Sequence, residues 1–166
     1  IALLSEDRKR DGLILGRPLY ENMTAAKLGS VCSGAGVIKR VKELKLAERY
    51  KVDLRIVTPD VKQKAGALSG GNQQKVIIAK WIHAKANVVI FDEPTRGIDV
   101  GAKVEVYKLM NRMVLEGRTV IVISSEMPEL LGICDRIITV SHGRITGDLN
   151  GKFEQEEILK YMLKGG

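Results

Sequence analysis

The sequence predicts an α/β fold in which helices flank a parallel β-sheet. Two uninterrupted apolar runs rich in β-branched residues, 88–91 and 120–123, have the composition of strands buried on both faces of such a sheet. Between them, residues 101–117 place apolar side chains on one helical face. At 166 residues and 45% hydrophobic composition the chain can bury one core, so a single domain is expected.

The N-terminal segment alternates apolar and charged stretches. Residues 1–4 are apolar and are predicted to form a strand. Because the sequence does not begin with Met, we expect this strand to belong to a longer protein. Residues 5–12 are densely charged and are predicted to form a loop. Residues 18–59 predict two helices separated by three glycines between positions 29 and 36. The apolar residues that recur there at helical spacing are Val37, Val41 and Leu44.

A Leu-Ser-Gly-Gly turn at residues 68–71 precedes the next predicted helix, 72–86. Ser69 can cap that helix, and the two glycines permit close backbone approach. Because the first N–H groups of a helix point outward together with the positive end of its dipole, the turn is a candidate anion site. An ordinary capped helix after a loop is the alternative.

Two carboxylates, Asp92 and Glu93, follow the strand 88–91 and precede Pro94. Ligands of open α/β sheets bind at the carboxyl ends of the strands. Asp92 is therefore a candidate for contact with Mg²⁺, directly or through water, and Glu93 is a candidate base that polarises water for attack on phosphorus. A solvated acidic turn is the alternative. Asp99 is a candidate N-cap of the following helix.

The C-terminal part predicts a hairpin and a helix. Residues 136–140 and 144–149 predict strands joined by a turn at 141–143. Residues 158–163 predict a short amphipathic helix. Ser125 is a candidate cap for a helix that begins shortly after it.

Composition narrows the function classes. No apolar run is long enough to span a bilayer and no signal peptide is recognisable, so a soluble protein is expected. Cys32 and Cys134 lie far apart without metal-ligand spacing, which favours reduced thiols and a cytoplasmic location. The formal charge of +7 is compatible with nucleic acid, but aromatic residues make up only 4% and do not alternate with basic ones.

The motifs, in this order, resemble the ATP-binding cassette ATPases. LSGGNQQK at 68–75 is similar to their signature motif, VVIFDE at 88–93 to their Walker B strand with its glutamate, and GID at 97–99 to their D-loop. DEPTRGIDVGAK at 92–103 and SSEMPELLG at 124–132 are similar to the second cassette of bacterial ribose, galactose or xylose importers. The resemblance covers nearly the whole chain.

The resemblance implies ATP and Mg²⁺ as cofactors and a second cassette, in the same chain or a second copy, as partner. In this family each nucleotide lies between one cassette's P-loop and the other's signature helix, so the signature acts in trans. Glu93 would be catalytic, with Asp92 contacting Mg²⁺ through water. The residues implied to contact the nucleotide are Ser69, Gly70, Gly71, Asn72 and Gln73, and those implied to lie at the dimer interface are Gly97, Ile98 and Asp99.

The resemblance also implies a place at the membrane. The helical subdomain, within residues 13–67, would dock on membrane-spanning permease subunits at the cytoplasmic face of the bacterial inner membrane, and a periplasmic sugar-binding protein would act indirectly. Residues 68–149 would form the core, and 150–166 the C-terminal helix. No nucleic-acid partner is expected.

Two positions depart from the family pattern. Glu6 stands at the glutamine of the Q-loop, and Ser125 stands where the family usually has the switch histidine. A serine cannot supply the charge or the reach of an imidazole. The local site around Glu93 is therefore expected to be impaired in hydrolysis.

No G-x-x-x-x-G-K-[ST] motif occurs in the sequence. The expected fold is therefore a truncated P-loop NTPase core that, alone, neither binds ATP tightly nor hydrolyses it. Family topology would place the missing strand between 120–123 and 137–140. We expect the piece to close that gap by rearrangement or by self-association, since unpaired sheet edges are costly.

Three functions are compatible with these residues. The first is part of the ATP-hydrolysing subunit of a monosaccharide importer. The second is a cassette ATPase acting on ribosomes or DNA, which the charge permits but the few aromatics and the importer-like motifs disfavour. The third is a regulatory or binding module, because the piece is not expected to hydrolyse ATP alone.

Overall fold

A computed structural model of the chain describes residues 1–152 and 154–163. The chain divides into two compact units, Ile1–Ile123 and Ser124–Gly166, which are described separately. Within the described residues, no helix has both the length and the hydropathy needed to cross a membrane. The predicted subdivision into 13–67, 68–149 and 150–166 stays a prediction.

The first unit contains a parallel three-stranded sheet. The strands are β1 (Ala2–Leu4), β2 (Val88–Asp92) and β3 (Thr119–Ile123), in the order β1-β2-β3. Both pairings are parallel, and β2 lies in the centre with Val89 and Phe91 fully buried. The predicted α/β fold with a parallel sheet is confirmed.

The prediction that residues 120–123 are buried on both faces is wrong. Ile121 and Ile123 are 45% and 51% exposed. Among the described residues, β3 pairs only with β2 and is an edge strand. The face of β3 that carries residues 119, 121 and 123 is exposed. The expected self-association at this sheet stays a prediction.

Four α-helices belong to the first unit. They are α1 (Leu19–Thr24), α2 (Arg40–Asp53), α3 (Gly70–Ala84) and α4 (Val100–Leu115). The buried side of α3 runs without interruption through residues 73–79, because this helix contacts both α1 and the sheet region. Helices α3 and α4 therefore confirm the helices predicted at 72–86 and 101–117.

The N-terminal segment differs from the prediction in two places. Residues Arg8–Gly12 form a π-helical turn instead of a loop, because the Asp7 carboxylate accepts hydrogen bonds from the first N–H groups of that turn. Val37 and Val41 do not form a buried face, since they are 66% and 69% exposed. Helix α2 instead buries Glu43 and Ala47.

The buried carboxylate of Glu43, 1% exposed, explains this difference. Thr24 Oγ1 donates a hydrogen bond to Glu43 Oε1 at 2.7 Å, and Arg40 Nη1 pairs with Glu43 Oε2 at 3.0 Å. A buried charge is tolerated when it is paired and hydrogen-bonded. The network joins α1 to α2.

We expect Thr24→Val to lower the free energy of unfolding by about 2 kcal/mol, because it removes a donor from a buried carboxylate. Urea unfolding of the variant measures this loss. Thr119→Val, at an exposed position of β3, is the matched control and should change stability by less than about 0.5 kcal/mol. Equal losses of stability in Thr24→Val and Thr119→Val would contradict a stabilising role for the hydrogen bond from Thr24 to Glu43.

The second unit contains α5 (Met127–Ile133), the antiparallel strands β4 (Arg136–Ser141) and β5 (Arg144–Asn150), and α6 (Gln155–Leu163). The predicted hairpin and C-terminal helix are confirmed. His142 adopts a left-handed φ of 47° in the turn and is exposed, as expected for a tight connection between antiparallel strands.

Candidate functional site

The candidate site is the N-terminal turn of α3, which Ser69 opens in extended conformation at the N-cap position. The hydroxyl of Ser69 does not cap the helix, so the predicted capping role of this side chain is wrong. Ser69 is exposed. The N–H groups of Gly70, Gly71 and Asn72 belong to the first turn, which a helix leaves without intrahelical acceptors. These donors together can bind an anion.

The two glycines of this turn are tightly packed against neighbouring segments. A Cβ atom on Gly71 would lie 2.7 Å from Ala102 Cβ in α4. A Cβ on Gly70 would lie 2.7 Å from Arg8 Nη2 and 3.3 Å from the carbonyl oxygen of Gly97. The structure therefore brings the turn at 68–71 together with the segment 97–99, as the motif order suggested.

Arg8 joins these segments. Its Nη1 donates a hydrogen bond to Arg96 O at 3.0 Å, and Arg96 itself forms an ion pair with Glu6. Arg8 Nε is buried and has no hydrogen-bond partner among residues 1–152 and 154–163. The guanidinium thus lies between Gly70 and the backbone at 96–97. Sequence reasoning missed this residue, because its partners lie far away in the chain.

The segment before α4 ends in a well-formed cap. Asp99 Oδ1 accepts a hydrogen bond from Ala102 N at 2.9 Å, so the predicted N-cap is confirmed. Gly97 has a φ of 68°, a conformation that favours glycine, and Ile98 follows it, half-buried. The dimer role of 97–99 is compatible with this geometry and stays a prediction.

Gln73 points away from the turn. It is 3% exposed, and its Nε2 donates to Ala65 O at 3.2 Å.

Lys75, on the same helix, is also buried. It is 5% exposed, donates a hydrogen bond to Arg55 O at 3.0 Å and forms an ion pair with Glu105. The hydrogen bond from Lys75 lowers the pKa of Glu105. These contacts hold α3 against α4 and against the segment that follows α2.

The acidic pair lies at the carboxyl end of β2, as predicted. Glu93 has a left-handed φ of 44°, and its N–H donates to Ile123 O at 2.9 Å. Pro94 is buried and Thr95 is 1% exposed, so this segment is not a solvated turn. A non-glycine residue at positive φ stores strain, which is common at functional sites. No local sequence pattern predicts this conformation.

Ser125 and Glu6 belong to different units, and each is exposed within its own unit. In the second unit, Ser124 Oγ accepts from Glu126 N at 3.1 Å and donates to the buried Glu129. Ser124 therefore binds the N–H of Glu126, the residue just before α5. The capping role predicted for Ser125 stays a prediction. Glu6 is engaged by Arg96.

The sequence was compared with known families and proteins. Residues 17–96 match the family model described as ABC transporter. The chain is 50% identical, over 97% of its length, to a ribose/galactose/methyl galactoside import ATP-binding protein of Burkholderia cenocepacia. It is 47% identical, over 99% of its length, to an L-arabinose transport ATP-binding protein of Geobacillus stearothermophilus. It covers 32% of each relative.

Solved structures of low sequence identity share the fold. A metal-chelate type ABC transporter in an inward-facing conformation has a TM-score of 0.75 at 16% identity, with 90% of this chain and 59% of that chain covered. The dimeric bacterial ABC transporter cassette MJ0796 has a TM-score of 0.73 at 21% identity, with 93% and 64% covered. These similarities concern the fold alone.

Proposed function

We propose that the chain, whose residues 17–96 match the ABC transporter family, is part of the ATP-hydrolysing subunit of a bacterial monosaccharide importer. The observation that carries the proposal is the similarity, over nearly the whole chain, to ATP-binding proteins of ribose, arabinose and xylose import. The chain spans about a third of the length of these relatives. Activity, substrate and partners of the whole protein are therefore part of this proposal.

The proposed role of the turn at 68–71 is to bind ATP held by another cassette, in the same chain or in a second copy. The Ser69 hydroxyl and the N–H groups of Gly70 and Gly71 would donate to oxygens of the terminal phosphate. The tight packing of both glycines supports this role, because it fixes the donors against α4 and Arg8. Gln73 is buried, so we assign it a structural role.

Glu93 and Asp92 form the second part of the proposed site. Glu93 would orient an attacking water, and Asp92 would contact Mg²⁺ through water. Bound Mg²⁺ neutralises charge that develops on the phosphate oxygens. No group of three or more His, Cys, Asp or Glu side chains among the described residues could hold a metal ion. A site with Asp92 as its carboxylate is still compatible with Mg²⁺, because this ion keeps several waters and takes few protein ligands.

The partners we propose are a second cassette, permease subunits and, indirectly, a periplasmic sugar-binding protein. The location would be the cytoplasmic face of the inner membrane, with the helical subdomain, α1 and α2, docked on the permease. The relatives described above are import and transport proteins, which favours transport over action on ribosomes or DNA, so we propose no nucleic-acid partner.

The experiment compares Ser69→Ala with Glu93→Gln in the full protein. We expect Ser69→Ala to lower ATPase activity about tenfold, because it removes one hydrogen bond to a charged group. Glu93→Gln should lower it less than about threefold, far below the 10²–10⁴-fold typical of a working general base. The reason is that Glu6 and Ser125 replace the glutamine and histidine of the family pattern. ATPase and labelled-sugar uptake in proteoliposomes measure both effects.

Ser33→Ala, at a half-buried serine between α1 and α2, is the control. Its activity should match that of the unmodified protein. Equal and complete loss in Ser69→Ala and Glu93→Gln would contradict the proposed division of roles. Wild-type activity in Ser69→Ala would refute the proposed role of the turn at 68–71.

A further inference from the structure

The side chain of Asn72, on the first turn of α3, makes two hydrogen bonds. Its Oδ1 accepts from the backbone N–H of Val57 at 2.9 Å. Its Nδ2 donates to Ser69 Oγ at 3.0 Å. Asn72 thus connects the segment after α2 to the hydroxyl at the proposed phosphate site.

The orientation of the Asn72 amide is determined by Val57. A backbone N–H can only donate, so the oxygen of the amide must face it. The NH₂ group must then face Ser69. Rotating the amide by 180° would place two donors against each other at Val57, and the alternative assignment is excluded.

The Val57 anchor is itself held in place. Leu54 and Ile56, just before it, are 4% exposed each. Arg55, between them, has a positive φ of 51°, and its carbonyl accepts from the buried Lys75. Asn72 therefore takes its orientation from a fixed backbone segment.

The contact with Asn72 decides what the Ser69 hydroxyl can do. Because Oγ accepts a hydrogen bond from Nδ2 of Asn72, the hydroxyl proton of Ser69 is directed elsewhere. Within the part of the chain that the structure describes, this hydroxyl donates to no acceptor, and Ser69 is exposed. The hydroxyl is therefore presented as a donor to an external acceptor.

We propose that Asn72 is a positioning residue that presents the Ser69 hydroxyl as a donor to the terminal phosphate of a nucleotide held by the partner cassette. Phosphate oxygens only accept hydrogen bonds, so a hydroxyl with its proton directed outward matches them. This inference rests on the proposed function. It gives Asn72 a positioning role in addition to the expected nucleotide contact, for which the second N–H of its amide remains.

The test is a double-mutant cycle in the full-length protein, read as the KM for ATP in steady-state hydrolysis. We expect Ser69→Ala and Asn72→Ala each to raise KM about tenfold. Because Asn72 acts through the Ser69 hydroxyl, the double variant should be at most about twofold worse than Ser69→Ala alone. Asn111→Ala, at an exposed asparagine of α4, is the matched control and should leave KM unchanged.

Asn72→Asp provides a sharper second variant of the same size. A carboxylate still accepts from Val57 N–H, but it also accepts from the Ser69 hydroxyl and so turns that proton inward. We expect an unchanged unfolding midpoint and a rise in KM larger than that of Asn72→Ala. Asn72→Asp in the Ser69→Ala background measures the effect of the added charge alone, and this effect should be smaller.

Three outcomes would overturn the proposal. If the rise in KM of the Ser69→Ala/Asn72→Ala variant equals the product of the rises in the two single variants, Asn72 acts independently of the Ser69 hydroxyl. Its role would then be limited to holding Val57. A wild-type KM in Asn72→Ala would show that the orientation of the hydroxyl is immaterial. If Ser69→Ala itself leaves KM unchanged, the proposed phosphate contact fails, and the positioning role of Asn72 fails with it.

Discussion

Gly71→Ala should lower ATPase activity of the full protein about 100-fold, because the added methyl group must displace the first turn of α3. The new Cβ would lie 2.7 Å from Ala102 Cβ, far inside van der Waals contact, and neither carbon belongs to a flexible side chain. Helix α3 must therefore move away from α4. The proposed phosphate donors are on that turn, and a displacement approaching 1 Å costs about 100-fold in well-positioned sites.

The same variant should lose about 1–3 kcal/mol of stability, the usual cost of overpacking a core. Urea unfolding and ATPase assays measure the two effects on one preparation. Gly29→Ala is the matched control, because its Cβ would meet no atom within 4 Å. Its activity should remain within about twofold of the unmodified protein.

A second substitution distinguishes the contact from a general intolerance of side chains at this position. Ala102→Gly removes the opposing methyl group and costs at most about 1 kcal/mol in helix propensity. In the Gly71→Ala background it should restore activity to within about fivefold of the single Ala102→Gly variant. Failure to restore activity would mean that Gly71 is required for a reason other than its packing on α4.

The parts of the structure that the sequence predicted correctly depend on local patterns. The apolar run of β2, the helical spacing of α4 and the Asp99 cap are each set by neighbouring residues. The hairpin turn at His142 is local as well. Hydrogen bonding and periodic burial of adjacent side chains determine such features, so reading the chain in order is sufficient to find them.

The parts that the sequence did not reveal depend on distant partners. A glutamate on an amphipathic helix is normally read as solvent-facing, yet Glu43 is buried because Thr24, 19 residues before it, donates to its carboxylate. From the sequence, Arg8 is predicted to be one of several charged residues in a loop. In the structure it donates a hydrogen bond to the carbonyl oxygen of Arg96, 88 residues away. No spacing rule relates such pairs before the fold is known.

The candidate site shows the same division. The motif predicted Ser69, Gly70 and Gly71 as one site, and they lie together because they are consecutive. The interactions that orient them come from Asn72, Val57 and Arg8. Of these, only Asn72 belongs to the motif, and its partner Val57 lies 15 residues before it.

Arg8→Ala should lower ATPase activity about 30-fold, the second largest effect that we expect. The guanidinium donates to Arg96 O and lies against Gly70. Without it, the turn at 68–71 and the segment 97–99 lose the group that fixes their separation. Arg8→Lys should restore little, because one ammonium cannot reproduce a planar group that contacts two segments at once.

The control lies on the same π-helical turn. Arg10 is 83% exposed and pairs only with the exposed Asp11 among the described residues, and a surface pair of this kind contributes little. Arg10→Ala should therefore retain activity within about twofold. Both variants remove one positive charge, so any difference between them reports position and not net charge.

Equal losses of activity in Arg8→Ala and Arg10→Ala would mean that the positive charge of this turn acts at long range. Because salt screens long-range charge effects, the activities of the variants and of the unmodified protein would then be similar at 500 mM salt and differ at 50 mM salt. We expect the loss in Arg8→Ala to persist at both concentrations, because the hydrogen bond that it removes acts at short range.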